Sequence, residues 1–305
     1  MRITNGFNAP KPFVWATEGS NWPPNPDRLY VTQLAMSPMV RRLNLEHYDE
    51  MENDVTSYYY RILGSAVHSV IENAAKNRIG VTVELPVRLP KELFGIEISG
   101  RIDWIDTIEN ILADIKTAGV NSASFGLKDD WVIQANVYRY MLWKVHNYLV
   151  SGLRIYPLYR DWMPTQAGNG DHPISPYGDI ELPVWTIKET EDYIAERVKL
   201  HLSEEVTPCT DTERWKSPDC FAVMKRGQKK ALAATMYIDG DRKPIPTEKD
   251  AMDIIRDKGL ASNEDVYVEK RVGMYRRCVS YCDVCNICKK YNPTLWDKNG
   301  NPIST

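Results

Sequence analysis

No run in the 305-residue sequence approaches the roughly 18 uninterrupted apolar residues that a membrane-spanning helix needs, which excludes a helical membrane anchor. The opening MRITNGFNAPKPFVW has no basic segment followed by an apolar stretch, so it does not read as a secretory signal, and a cytoplasmic protein is expected. Bulk positive charge is missing too. A formal charge of −3 argues against coating nucleic acid by general basicity and leaves only a local basic surface. Internal repeats and low-complexity tracts are absent, which excludes solenoids and linker-like chains. Cysteine is scarce at six residues, yet four of the six fall within the eleven of CVSYCDVCNIC, Cys278 to Cys288. In a reducing compartment such a cluster points to a metal site rather than to a disulfide framework.

Charge is uneven along the chain. Residues 45 to 54 are acidic, whereas residues 222 to 290 carry 15 Lys and Arg against 10 Asp and Glu, an excess that suits an anionic partner. Residues 1 to 28 read as an irregular arm, and the tail from Asn292 as loose. Leu63, Ala66, Val67, Val70, Ile71 and Ala74 recur at three and four and predict an amphipathic helix, with Gly64, His68 and Glu72 off the stripe. VTVELPVRL alternates as a strand in which Pro86 suggests an edge or bulge. Three short strands, FGIEISG, RIDWIDT and ILADIKT, are expected next, then a helix from about Asp130 to Tyr148 and the strand LRIYPLYRDW. A Gly- and Pro-rich loop, the strand IELPVWTI and the helix KETEDYIAERVKLHL follow. A later helix is expected to start at Thr247 as N-cap and end at Gly259. The divisions predicted are an arm and helical segment at 1–59, a core at 60–205, and a basic, cysteine-bearing region at 206–305.

The first chemical constellation lies in RIDWIDTIENILADIKT, two strands joined by a short turn near Glu109 and Asn110. A two-residue hairpin loop pairs residues whose numbers sum to an odd value, so Asp103 shares a face with Asp114 and Lys116 while Ile111, Ala113 and Ile115 point the other way. Two acids and a lysine in one cleft suit metal-assisted phosphodiester hydrolysis. Oxygen ligands hold Mg²⁺ or Mn²⁺, and a nearby ammonium meets developing negative charge. His68, on the preceding helix, could complete the shell, and Gly64 one turn back leaves space beside it.

GSAVHSVIE, the Asp103 strand, Asp114-Ile115-Lys116 and Gln134-Ala135-Asn136-Val137-Tyr138 resemble, in order and over residues 60 to 140, the motifs of RecB-type PD-(D/E)XK nucleases. The resemblance implies a restriction-endonuclease-like α/β core with a mixed central sheet flanked by helices. It implies metal binding by His68, Asp103, Asp114 and the carbonyl of Ile115, with Lys116 catalytic. Gln134 and Tyr138, one helical turn apart, would position the lysine or the DNA strand, and Glu72 matches a less specific acidic position. Iron-sulfur members of the group carry three clustered C-terminal cysteines and one upstream. By that likeness Cys209, Cys278, Cys282 and Cys288 hold a 4Fe-4S cluster, although the upstream cysteine of many members lies near the N-terminus, where this chain has none before Cys209. Cys285 makes CxxC with both Cys282 and Cys288, so an all-local set of four is open, and zinc is the rival metal. Cys220 reads as a small core residue.

MKRGQKKAL offers Lys225, Arg226, Lys229 and Lys230 for sequence-independent contacts to a DNA backbone. No base-reading element accompanies them. The leading expectation is a metal-dependent DNA exonuclease of recombination, repair or phage DNA metabolism, with DNA and a recombination or repair protein as partners and no membrane. The alternatives are a non-catalytic DNA-binding module on the same scaffold and a redox or zinc-dependent interaction protein.

Overall fold

A computed structural model describes residues 1–18, 23–123, 127–238 and 241–303. The chain divides into two compact units, Met1–Pro208 and Cys209–Thr305. Arg2–Thr4 pairs in parallel with Glu52–Asp54, and Lys11–Thr17 is helical, so the expected irregular arm is built into the first unit.

The first unit is a mixed α/β layer structure. Its central sheet contains β1 (Arg28–Tyr30), β2 (Val81–Leu89), β3 (Glu97–Asp106), β4 (Ile111–Ala118), β5 (Gly152–Tyr159) and β6 (Ile180–Glu181). The order is β1-β3-β4-β5-β6, with β2 also paired to β3. β1 runs parallel to β3 and β4 parallel to β5, and the remaining pairs are antiparallel. Helices α1 (Pro38–His47), α2 (Tyr59–Ala75), α3 (Asp129–His146) and α4 (Ile187–Leu202) flank it.

FGIEISG and RIDWIDT form one strand rather than the two expected. Gly100, which reads as a break, is instead where the Tyr138 ring of α3 lies against the sheet. IELPVWTI contributes only the two residues of β6. Central strand β4 is buried along most of its length, as strands covered on both faces are. Helix α3 begins with Asp129 and Asp130, ends with Lys144 and His146, and stops at Asn147 in the left-handed region, a sequence of charges that matches the helix dipole. Its Trp131, Ala135, Val137, Tyr140, Met141 and Leu142 pack into a core with Leu29, Ile98, Ile102, Leu112, Leu153, Ile155 and Ile194. Asn136, buried in the same helix, donates to Val132 O and Pro183 O and accepts from Trp185 N, so its amide is satisfied. A capping box of Thr186 and Glu189 starts α4.

In the second unit β7 (Cys220–Lys225) pairs antiparallel with the later strand Val266–Arg271, and the pair β8 (Thr235–Ile238) and β9 (Asp241–Pro244) lies between them in sequence. The strand Val266–Arg271 is β10. Helix α5 (Glu248–Asp257) is capped by Thr247, whose hydroxyl accepts from Asp250 N at 3.1 Å, and Gly259 takes φ +65° just past its end, as expected. Val223, Ile245, Ala251 and Ile255 make a small core. Two short helices, α6 (Arg276–Ser280) and α7 (Cys285–Tyr291), precede a tail that is not loose: Ile303 N donates to Leu295 O at 2.9 Å, and Ile303 O accepts from Arg214 Nη1 at 2.7 Å.

No helix among the described residues is long and apolar enough to cross a membrane. One consequence of the β3 to α3 packing is measurable. A Cβ on Gly100 would run into the Tyr138 ring and lie 2.9 Å from Val31 Cγ2. Gly100→Ala is therefore expected to destabilise the protein by about 1–3 kcal/mol through overpacking, read as a lowered denaturation midpoint.

Candidate active site

Strands β3 and β4 leave a turn of four residues, Thr107 to Asn110, in which Asp106 Oδ1 accepts from Ile108 N and Glu109 N and Asn110 adopts φ +56°. The loop is longer than the two residues expected, but the parity is unchanged: Trp104 pairs with Ala113 and Asp106 with Ile111. Continuing that register sets Asp103 opposite Asp114, both on the face that also carries Lys116. The ladder stops after Trp104, and the strands open into a fork. Ile115 N, deprived of a partner on β3, donates to Asp103 Oδ2 at 2.9 Å.

Two helices reach into the fork. From α3, Gln134 Nε2 donates to Asp114 Oδ1 at 2.9 Å while its Oε1 accepts from Lys116 Nζ at 3.1 Å. Lys116 Nζ lies 2.5 Å from Asp114 Oδ2 as an ion pair. That oxygen is buried and lies against the ammonium, which reaches Gln134 Oε1 through another of its three protons. From α2, His68 Nε2 lies 3.0 Å from Ile115 O, and Nδ1 lies 3.4 Å from Glu84 Oε1 and 3.6 Å from Asp103 Oδ2. The structure thus brings His68, Asp103, Asp114, Ile115, Lys116 and Gln134 together. Tyr138 is buried one turn away, its hydroxyl accepting from Arg101 N at 3.4 Å, where it supports β3. At Gly64 an added Cβ would meet Thr117 Oγ1 at an ordinary 3.7 Å, so room exists there as expected.

The amphipathic stripe of α2 is only partly a core face. Val70 is 69 % exposed and Ala66 and Ala74 are exposed, while Gly64, His68 and Glu72, off the stripe, are half-buried. The helix covers a polar cleft, so its apolar periodicity does not mark its inner face. Sequence reasoning also misses Glu84, half-buried on β2. One donor atom from each of His68, Glu84 and Asp103 lies within 4.8 Å of the others. No sequence signal singles out this acid, and only the pairing of β2 with β3 brings it to the fork.

Donor chemistry fits a divalent cation. A neutral imidazole carries one proton, yet both His68 nitrogens face oxygen acceptors, so one of them and its oxygen have nothing between them. The buried Asp114 Oδ2 adds a further lone pair. Electrostatics agree. Burial, then the Asp114 charge, pushes the Asp103 carboxyl up to about 7, with His68, Ile115 N–H and Lys116 opposing. Burial alone would lower the Lys116 ammonium, but Asp114, supported by Asp103 and Asp130, outweighs it and leaves Lys116 raised. A lysine so held is a fixed positive charge.

In the second unit, no disulfide is present among the described residues. The sulfurs of Cys278, Cys282 and Cys288 each feel Cys209 and Cys285 electrostatically, so Cys209 converges on the C-terminal cluster, and Cys285 lies there as well. Burial pushes the Cys278 thiol up to about 11 and the Cys282 thiol up to about 12. Arg214, 4 % exposed, stands over the Tyr275 ring at 3.9 Å and opposes the shift at Cys278 and Cys288. Among the described residues no three of these sulfurs lie within 4.8 Å of one another. A tetrahedral zinc with bonds of ~2.3 Å would need about 3.8 Å between its thiolates. Cys220, at the start of β7, is half-buried rather than in the core. Lys225 ends β7, and Arg226, Lys229 and Lys230 are exposed around Gly227, which has φ +77°.

The raised Asp103 carboxyl sets a pH dependence. Between its ordinary 3.8 and about 7 the folded protein holds a proton that the unfolded chain has released, so metal-free stability falls as pH rises through that window. Thermal unfolding from pH 4 to 8 is expected to show this decline, and Asp103→Asn is expected to remove most of it.

No family model matches the chain, and no curated protein matches it. Among solved structures, SSO0001 is similar over 66 % of this chain and 87 % of that one, with 17 % identity and a TM-score of 0.46.

Proposed function

We propose that the first unit is a RecB-type PD-(D/E)XK nuclease core that hydrolyses DNA phosphodiester bonds from strand ends with Mg²⁺ or Mn²⁺. The observation that carries the reading is the fork itself: Asp103, Asp114 and Lys116 on one face where two strands part, with His68 and Gln134 supplied by two helices. His68, Asp103, Asp114 and the Ile115 carbonyl would hold the cation. When bound, it supplies Lewis-acid polarisation of a phosphoryl oxygen. Gln134 fixes Lys116 by taking one of its three protons in a hydrogen bond and fixes Asp114 by donating to it, so the ammonium stays at the edge of the acids. From there it can meet negative charge developing on the phosphoryl group or orient the attacking oxygen. Tyr138 holds β3 in place beneath the site.

For the second unit the reading is a 4Fe-4S cluster on Cys209, Cys278, Cys282 and Cys288, with a structural role in tying the C-terminal segment to residue 209. The convergence of Cys209 on the three C-terminal cysteines supports it, because a cubane takes four thiolates, one on each iron. Lys225, Arg226, Lys229 and Lys230 suit phosphate contacts on the DNA backbone, whose strength falls with salt.

Labelled linear DNA with Mn²⁺ or Mg²⁺ is expected to be shortened progressively while a covalently closed circle of the same sequence survives. Asp114→Asn and Lys116→Ala are each expected to cut the rate by about 10²- to 10³-fold or more with folding retained. Undiminished turnover in either variant removes the assignment, and equal cutting of the circle makes the enzyme an endonuclease.

Anaerobically purified protein is expected to be brown with about four irons per chain. Serine at Cys209, Cys278, Cys282 or Cys288 is expected to lose the iron, and serine at Cys220 or Cys285 to keep it. Iron lost from Cys285→Ser but kept in Cys209→Ser identifies the all-local set, and stoichiometric zinc without iron removes the cluster.

A further inference from the structure

Glu84 is a costly residue where it stands. It sits opposite Asp103 on the paired strand, between the pairs Val83–Trp104 and Leu85–Ile102, and like charges directly opposite each other destabilise a sheet. Its φ is +51°, the left-handed region, in which a residue bearing a Cβ loses about 1–2 kcal/mol and which Glu rarely occupies. A strand position that only needed filling would accept a β-branched residue in ordinary geometry. Such a local cost at a cleft is characteristic of functional strain.

Its contacts say what the cost is for. Oε2 is engaged by Arg101 Nη1 at 3.2 Å, and Oε1 faces His68 Nδ1 at 3.4 Å, nearer than the Asp103 oxygen at 3.6 Å. Both carboxylate oxygens are therefore directed to nitrogen partners. The other ring nitrogen, Nε2, faces Ile115 O at 3.0 Å, the carbonyl proposed above as a metal ligand. Histidines that bind metals commonly donate their second N–H to a carboxylate, which fixes the tautomer and the ring plane.

We infer that Glu84 is a positioning residue that accepts a hydrogen bond from the His68 Nδ1 proton, with Arg101 neutralising its charge, so that the Nε2 lone pair is turned toward the divalent-cation site. This rests on the nuclease reading above. In this role Glu84 acts through His68 rather than on the ion itself.

The test measures Mn²⁺ binding by calorimetry and paramagnetic resonance together with thermal stability of the metal-free protein. Glu84→Ala is expected to weaken Mn²⁺ binding about 10- to 100-fold, while Glu84→Gln, whose amide oxygen still accepts, stays near wild type. Glu84→Gly should weaken binding like alanine and yet leave the melting temperature equal or higher, because glycine accepts the positive φ. A merely structural Glu84 would lower stability and binding together. Nitrogen-15 spectra of His68 should show the Nδ1-protonated form in wild type and a mixture in Glu84→Ala. Unchanged binding in Glu84→Ala overturns the positioning role, and a loss in Glu84→Gln as large as in Glu84→Ala overturns it in favour of direct ligation. Wild-type protein that binds no Mn²⁺, or binds it equally after Asp103→Asn, overturns the nuclease reading itself.

Discussion

The bond from Ile115 N to the Asp103 carboxylate is the one on which the site depends. Antiparallel strands joined by a tight turn ordinarily continue to pair, and the backbone donors of the inner strand are then consumed by the ladder. Here a side chain takes the place of a strand just beyond the pairing of Trp104 with Ala113. The donor remains satisfied, as a buried amide must be, while β3 is free to diverge toward β1 and β4 stays with β5. The cleft is therefore made by substituting one acceptor for another, at no loss of hydrogen bonding, and the acid that makes the opening is also one of the acids that fills it.

Having opened, the fork concentrates negative charge in a half-buried place. Asp103 and Asp114 repel each other, and burial penalises the ionised form of Asp103. Lys116 answers part of this, and Gln134 ties the lysine and one acid to the same helix, whose remaining faces are locked in the hydrophobic core. The polar site thus inherits its rigidity from α3. Buried polar networks of this kind are stable only when each member is satisfied, and here one Asp114 oxygen is met by the Gln134 amide and the other by the Lys116 ammonium.

Much of this geometry is legible in the amino-acid sequence. Strand parity alone puts Asp103, Asp114 and Lys116 on one face, since parity survives the change from a two- to a four-residue turn. Helices α3, α4 and α5 follow from periodicity and capping residues. Three features are not legible, each for a physical reason. Gly100 reads as a strand break because glycine usually is one, whereas here its missing side chain is what lets Tyr138 lie on β3. The inner face of α2 escapes a periodicity argument because apolar periodicity reports contact with an apolar core, and α2 covers charged groups. Glu84 is invisible because a glutamate carries no sign of left-handed backbone, which glycine and asparagine would advertise.

Among the described residues β2 pairs with β3 alone, through eight of its nine residues, and an unpaired strand edge is a template on which other chains can add. Two residues of this strand spoil the template. Pro86 lacks the amide proton an incoming strand would use, and the left-handed turn at Glu84 breaks the regular spacing of donors and acceptors two residues earlier. The same backbone distortion that brings a carboxylate to the imidazole therefore also makes the open border of the sheet a poor partner for another copy, so that resistance to edge-to-edge aggregation and site geometry are secured by one local irregularity.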